Sequence, residues 1–314
     1  MNPISDLRNQ FANGKIDKPT YISKMFDLHK TLFEYAEYLP HTEIEKIEIS
    51  NGSVILTAAN SGLRFYNVRD DKRTPLYEIL NFLALEREEM QMMQAMLNDG
   101  DTIFDIGAHL GWYSIHFAQK FPNCKIYAFE PIPSTHAFLL KSIDLNKSIE
   151  SVRRIKVSQL GLSNETGEKT FYFYPEGMSN ASMENVSHHG NPETVKCSVS
   201  RMDDFVKQQP TGFTIDFIKC DVEGAEYLVF QGGAESLAKM RPIVFTEMLR
   251  KWSAGFNYHP NELIEFMKRL GYQTFVIHDG ALSAFDLMTD DTVETNYFFL
   301  HREKHDVLIK RLAR

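Results

Sequence analysis

From Asp101 onward the chain alternates short apolar runs with longer amphipathic ones, and this alternation limits the folds open to it. TIFDIG, KIYAFE, RIKVSQLGL, FTIDFIKC, PIVFTEM, YQTFVIH and NYFFLHR read as strands. GWYSIHFAQKF, STHAFLLKSIDLN, EYLVFQGGAESLAK and PNELIEFMKRL read as the helices between them. Strands and helices of these lengths in alternation predict an α/β fold: a central, mostly parallel sheet with helices on both faces. One interruption lies between Lys169 and Val199, where FYFYPEG, a polar Asn/Ser/His-rich stretch and VKCSVS read as a strand pair carrying a mobile loop.

The first part of the chain has a different pattern. Ile22, Met25, His29, Leu32, Ala36 and Leu39 recur at helical spacing. KIEISNGSVILT reads as a hairpin turning at Asn51-Gly52, and Gly62 to Val68 as a third strand. One long helix is predicted from about Leu76 to Asn98, with Ile79, Leu83, Met90, Met93 and Leu97 on one face. Its methionines suit packing against the body, since Met fills irregular gaps. We therefore divide the chain into a small N-terminal α/β extension, residues 1–75, and a main domain, residues 76–314.

A chain of 314 residues can bury a sufficient core without disulfides. Cys124, Cys197 and Cys220 are too few and too scattered for a disulfide framework or a zinc cluster, which predicts reduced thiols. MNPISDLRNQFANGK lacks the features of a signal peptide, and no apolar run approaches the roughly 20 residues of a membrane span. A cytoplasmic protein without a transmembrane segment is expected, and the sequons at Asn51, Asn180 and Asn185 carry no weight. A formal net charge of −8 argues against nucleic acid as a partner.

The segment richest in chemistry is Asp105-Ile106-Gly107-Ala108-His109-Leu110-Gly111-Trp112, where a strand gives way to a helix. Glycines there let backbone approach a ligand, and the helix start offers free amides. Dinucleotides and S-adenosylmethionine both bind at this kind of turn. A dinucleotide fingerprint is Gly-x-Gly-x-x-Gly. Here the spacing is Gly107-x-x-x-Gly111, a His stands at 109, and the acidic Asp105 would repel a pyrophosphate. S-adenosylmethionine carries an amino group and a sulfonium and suits Asp105 electrostatically. Glu130, 23 residues beyond Gly107, sits where a carboxylate can accept from ribose hydroxyls. Asp221 and Glu223 fall at the carboxyl end of a mid-sheet strand, where α/β proteins place ligands.

Together these residues resemble the FkbM-like family of S-adenosylmethionine-dependent methyltransferases. Asp105 to Gly111 resembles the family's first motif, Asp-x-Gly-Ala-Asn-x-Gly, with His109 in place of Asn. Phe129-Glu130-Pro131, Leu162-Ser163 with Gly167, Asp221-Val222-Glu223-Gly224-Ala225-Glu226, and Pro242 to Glu247 follow in the family's order. The resemblance covers roughly residues 100–299 and implies a Rossmann-like class I methyltransferase fold.

The resemblance implies transfer of a methyl group from S-adenosylmethionine to a hydroxyl of a carbohydrate or glycan-type acceptor, with a polyketide-type hydroxyl as the alternative. The implied cofactor residues are Asp105, Gly107, Ala108, His109, Gly111, Glu130, Pro131, Ser163 and Asp221. The implied catalytic residues are Asp221, Glu223, Glu247 and His109. His109 stays open between cofactor contact, catalysis and a turn substitute. Asn180, Ser182, His188, His189 and Trp252 are the candidate acceptor contacts. No metal-ligand spacing is evident. A nicotinamide-dependent sugar-nucleotide enzyme is disfavoured by Asp105 and the glycine spacing. A silent adenosyl-binding scaffold is disfavoured because the acidic residues are all present. Residues 1–75 are open to covering the cofactor, binding the acceptor or forming the contact of a homo-oligomer.

Overall fold

The computed structural model describes residues 2–69, 71–174, 177–185 and 192–314, with only the backbone of 177–180. The chain begins with α1 (Pro3–Ala12), α2 (Lys18–His29) and α3 (Thr31–Tyr38). The Asn2 side chain caps α1 and Asp17 caps α2 by accepting first-turn amides. The helical spacing predicted here is real, but its apolar face is not covered: none of the three helices contains a buried residue.

An antiparallel sheet follows, β1 (Ile44–Ser50), β2 (Ser53–Ala58) and β3 (Arg64–Asn67). Asn51 (φ 47°) and Gly52 (φ 76°) take the left-handed pair of conformations that a tight hairpin needs.

The single helix predicted over 76–98 is two helices, α4 (Pro75–Phe82) and α5 (Arg87–Met96). Leu83 (φ 72°) and Glu86 (φ 43°) enter the left-handed region and break it. A straight helix of that length would extend about 34 Å. The break lets Leu76 and Ile79 share one core with Met92, Met93 and Met96.

The main domain then runs through β4 (Thr102–Ile106), α6 (Trp112–Lys120), β5 (Lys125–Phe129), α7 (Pro133–Leu145), α8 (Glu150–Arg153) and β6 (Lys156–Ser158). Next come β7 (Gly161–Ser163), β8 (Gly167–Tyr174), β9 (Gly177–Ser182), β10 (Glu193–Arg201) and α9 (Met202–Lys207). They lead to β11 (Phe217–Cys220), α10 (Glu226–Gly232), α11 (Ala234–Met240), β12 (Ile243–Glu247), α12 (Arg250–Ser253) and α13 (Pro260–Arg269). The chain closes with β13 (Tyr272–His278), β14 (Ala281–Phe285), β15 (Asn296–His301) and α14 (Asp306–Leu312).

Eight of these strands form one sheet in the order β14-β13-β15-β12-β11-β4-β5-β6. β6, β5, β4, β11 and β12 are mutually parallel, and β15 enters antiparallel between β12 and β13. This is the expected α/β, Rossmann-like sheet, with two strands, β15 and β14, running against the rest. Strand order reverses between β4 and β11, and at such a switch point the carboxyl ends of the strands open a crevice.

Two sequence runs split. RIKVSQLGL supplies β6 to the main sheet and β7 to a second, four-stranded sheet of order β7-β10-β8-β9. The run read as one helix after Asp221 becomes α10 and α11, parted at the non-helical Gly233 (φ −113°, ψ 15°); Gly232 before it passes against the Ser163 carbonyl, where a Cβ would stand 2.0 Å away.

Residues on the two sheet faces feed two cores. Ile103 and Phe217 point into one, while Phe104, Ile106 and Ile218 point into the other. The first core also takes in Leu56 and Phe65 from the N-terminal hairpin. Among the described residues no helix is long and apolar enough to cross a membrane.

Phe65 is fully buried and packs on Trp112 (ring centroids 4.9 Å) and His116 (5.6 Å). Phe65→Ala should therefore cost about 3–5 kcal/mol of global stability, read as a lower midpoint of one cooperative urea transition. An early separate transition with an unmoved main one would show that the hairpin is an independent unit.

Candidate active site

A cleft of about 390 Å³ opens at the carboxyl ends of β4, β5, β11 and β12. The turn after β4 forms one wall. Gly107 (φ 73°) must be glycine, since a Cβ there would stand 1.9 Å from the Asp221 carbonyl oxygen. Its amide and that of Ala108 both donate to the Phe129 carbonyl at 3.0 Å. His109 has φ 49°. Asn and His are among the non-glycine residues that enter this region most readily, which explains how His serves where the family motif has Asn.

Glu130, after β5, is buried and accepts from the His109 amide (3.1 Å) and the Ile132 amide (3.0 Å), joining two walls of the cleft. Burial raises its pKa, opposed by those two amides and by His109. Two polar atoms on the same wall, Thr135 Oγ1 and His109 Nε2, have no hydrogen-bond partner among the described residues. The His109 Nε2 lies 3.6 Å from an Asp71 carboxylate oxygen.

Asp105 is corrected by the structure. It was expected on the ligand, but it is 1% exposed and lies behind the wall. Its carboxylate accepts from the Ser114 amide (3.1 Å) and hydroxyl (2.6 Å), fixing the start of α6. It is also the direct cross-strand neighbour of Lys219. The buried Lys219 ammonium donates to the Gly107 carbonyl at 2.8 Å and stands 3.7 Å from Asp105 and 3.6 Å from Asp221. Burial acts to lower the Lys219 pKa, but Asp221, Asp105 and Glu86 outweigh it and hold the group charged above its ordinary range.

The acidic motif folds as a tight loop after β11. Glu223 (φ 55°) and Gly224 (φ 100°) are both left-handed, and a Cβ on Gly224 would come within 2.8 Å of the Trp252 backbone. Glu226, buried below, accepts from the amides of Val222 (3.0 Å) and Gly224 (3.1 Å) and so holds the loop from within. From above, the Ser182 hydroxyl donates to the Glu223 carbonyl at 2.8 Å. Ser182 therefore braces the loop through its backbone.

This loop brings carboxylate oxygens of Asp221, Glu223 and Glu247 within 4.8 Å of one another. The set could hold a divalent cation. Sequence spacing gave no hint of it, because the residues come from the ends of two strands. Burial, then Asp221 and Glu247, raises Glu223 well above an ordinary carboxyl. Burial, then Asp221, Glu226 and Glu86, pushes Glu247 up to about 9.

Sequence reasoning missed Glu86, which sits at the break between α4 and α5 and lines the cleft. The Tyr113 hydroxyl donates to its carboxylate. Burial, then Asp221, raises it to about 7. No local signal marks it, since Leu-Ala-Leu-Glu contains no helix breaker.

Gly107, Ala108, His109, Glu130, Pro131, Asp221, Glu223 and Glu247 all line the cleft. Gly111 does not: it starts α6, and its missing Cβ admits Leu139, which would stand 2.5 Å away. Ser163 is buried against Gly232 instead. Trp252, expected to stack on an acceptor, is 8% exposed and lies behind the Glu223–Gly224 turn. Asn180 lies on the backbone of β9, and its side chain is outside the described set, as are His188 and His189 altogether.

Removing one partner of a buried ion group leaves the others uncompensated, typically costing 3–5 kcal/mol. Lys219→Met should thus lower stability by about 3–5 kcal/mol in urea unfolding, and adding Asp105→Asn should recover part of it. A neutral Lys219→Met would contradict the network.

The chain is similar to Methyltransferase 1 of Beauveria bassiana, 27% identical over 150 residues, which are 43% of this chain and 59% of that protein. It is similar to Methyltransferase sdnD of Sordaria araneosa, 29% identical over 164 residues, 44% of this chain and 62% of that protein. The chain thus spans about three-fifths of the length of these two relatives. A solved structure of methyltransferase FkbM from Methylobacillus flagellatus KT is 17% identical with a TM-score of 0.42, covering 71% of this chain and 53% of that one. The sequence profile described as "Methyltransferase FkbM domain" matches residues 105–274, from Asp105 in β4 into the start of β13 and over more than half of the chain. The chain therefore belongs to the FkbM methyltransferase family.

Proposed function

We propose that this protein transfers the methyl group of S-adenosylmethionine to a hydroxyl of a carbohydrate or glycan-type acceptor. The observation that carries this reading is the gathering of Asp221, Glu223, Glu247 and Glu86 in the same cleft as the glycine turn and Glu130. When bound, S-adenosylmethionine supplies an electrophilic methyl group on a positively charged sulfur.

The residues present fit such a ligand. Gly107, Ala108, His109, Glu130, Pro131 and the Thr135 hydroxyl, which has no partner among the described residues, would hold its adenosyl part. The carboxylates would receive its cationic groups. A pyrophosphate would meet repulsion, because Lys219 is taken up by Asp105 and Asp221 and Arg73 pairs with Glu78 at 2.6 Å.

Asp221 and Glu223 shape the negative field, and Glu247 is the base that takes the acceptor's hydroxyl proton. In the free cleft Glu247 holds a proton too tightly, near 9. A positive charge placed beside it relieves the repulsion with its neighbours and brings its pKa toward neutrality, where a base is most effective. His109 faces Asp71 and serves the turn and cofactor wall. Phe82, 68% exposed at the cleft rim, offers the flat apolar face for a sugar ring that Trp252 does not.

A polyketide-type hydroxyl is the second reading. It draws on a Streptomyces tacrolimicus relative named 31-O-demethyl-FK506 methyltransferase FkbM, 30% identical over 80 residues, 26% of this chain and 29% of that protein. We assign the protein to the cytoplasm, with residues 76–314 as the methyltransferase domain and 1–75 as its extension. With a charge of −8 we assign it no nucleic-acid substrate.

Calorimetric titration should give saturable binding of S-adenosylhomocysteine and none of NAD. Binding of S-adenosylmethionine should release protons, measured as a heat that changes with buffer ionisation enthalpy. Glu247→Gln should reduce that release. Binding of NAD alone would overturn the reading. In a glycan panel scored by mass spectrometry for one added CH₂, Glu247→Gln should lose about 10²–10⁴-fold in turnover while its affinity for S-adenosylhomocysteine stays within a few fold. Wild-type activity should rise with pH to a plateau, as Glu247 loses its proton. A Glu247→Gln variant with full turnover would remove this residue as the base.

A further inference from the structure

The N-terminal helices α1, α2 and α3 contain ten, twelve and eight residues, none of them buried. Helices this short are marginal in water unless an apolar face is covered. Phe11 stacks on Tyr21 (4.6 Å), which joins α1 to α2. Among the apolar residues that stay bare is a ridge on α2, Ile22 and Phe26 one turn apart, 55% and 65% exposed.

Beside this arm lies a groove of about 890 Å³ between α3, the β1–β2 hairpin and α4, lined by Leu32, Tyr35, Ile47, Ile49, Val54 and Leu80. The segments that carry ridge and groove differ in charge. Residues 3–30, which carry the ridge, hold five Lys or Arg and three Asp, whereas residues 31–48 hold five Glu and one Lys.

The ridge cannot fold back into the groove of its own chain. Only Lys30 separates α2 from α3, and it is itself helical (φ −60°, ψ −26°). Two helices need a loop of about 2–5 residues to reverse direction.

We propose that α2 of one copy docks its Ile22–Phe26 ridge into the groove of a second copy, which docks its own ridge in return. Each subunit offers both halves of the contact, as a closed two-fold dimer requires.

Light scattering of the full chain over a range of concentrations tests this. Wild type should dimerise, more weakly as salt rises. Ile22→Glu/Phe26→Glu, on the ridge, and Ile49→Glu, in the groove, should each raise the dissociation constant by about tenfold or more. All three residues are exposed, so far-UV circular dichroism should confirm an intact fold. Mixing the ridge variant with the groove variant should restore a heterodimer, since the pair retains one intact ridge and one intact groove. A wild-type monomer at every concentration overturns the proposal, including one that instead binds phosphatidylserine vesicles. So does a dimer indifferent to both variants, or a mixture that stays monomeric.

Discussion

The buried ammonium of Lys219 holds the cleft together. It lies in the middle of the sheet, beside Asp105 in the cross-strand register, and reaches both the turn after β4 and the loop after β11. Burying a charge is expensive unless it is paired and hydrogen-bonded. Here one cation meets two carboxylates and a carbonyl, and each of those belongs to a segment that borders the cleft. The strand-end aspartate thus acts through the lysine and through the first turn of α6, a step removed from the cleft.

On this base the protein assembles a group of acids that repel one another. His109, Glu223 and Glu86 all have left-handed backbones without being glycine. Such conformations cost roughly 1–3 kcal/mol each and persist where the surroundings fix them. The surroundings are identifiable. Glu130 holds the His109 amide, Glu226 and Ser182 hold the loop at Glu223, and Tyr113 holds Glu86. The raised pKa values at Glu223, Glu247 and Glu86 come from burial and crowding.

The sheet and the glycine turn were legible in the sequence because their causes are local: apolar runs of strand length, and glycines where backbones nearly touch. The identity of the cleft residues was partly legible for the same reason. Asp105 and Trp252 were misplaced because side-chain direction depends on which face of the sheet or loop is already occupied. Glu86 was illegible because Leu-Ala-Leu-Glu has good helix formers, and only the need for α4 and α5 to share one core breaks the helix there. The helical period at Ile22 to Leu39 was read correctly, but a period alone does not say whether a face is covered.

The bond from the Ser182 hydroxyl to the Glu223 carbonyl runs from a strand of the small sheet to a loop of the large one. β9 belongs to the small sheet, which also gives Phe171 and Ala181 to the cleft wall, while Glu223 belongs to the acidic loop of the large one. The small sheet is therefore mechanically geared to the acids. Ala181 is the neighbour of Ser182 on β9, so a molecule seated against Ala181 would press on the strand whose hydroxyl holds the Glu223 backbone.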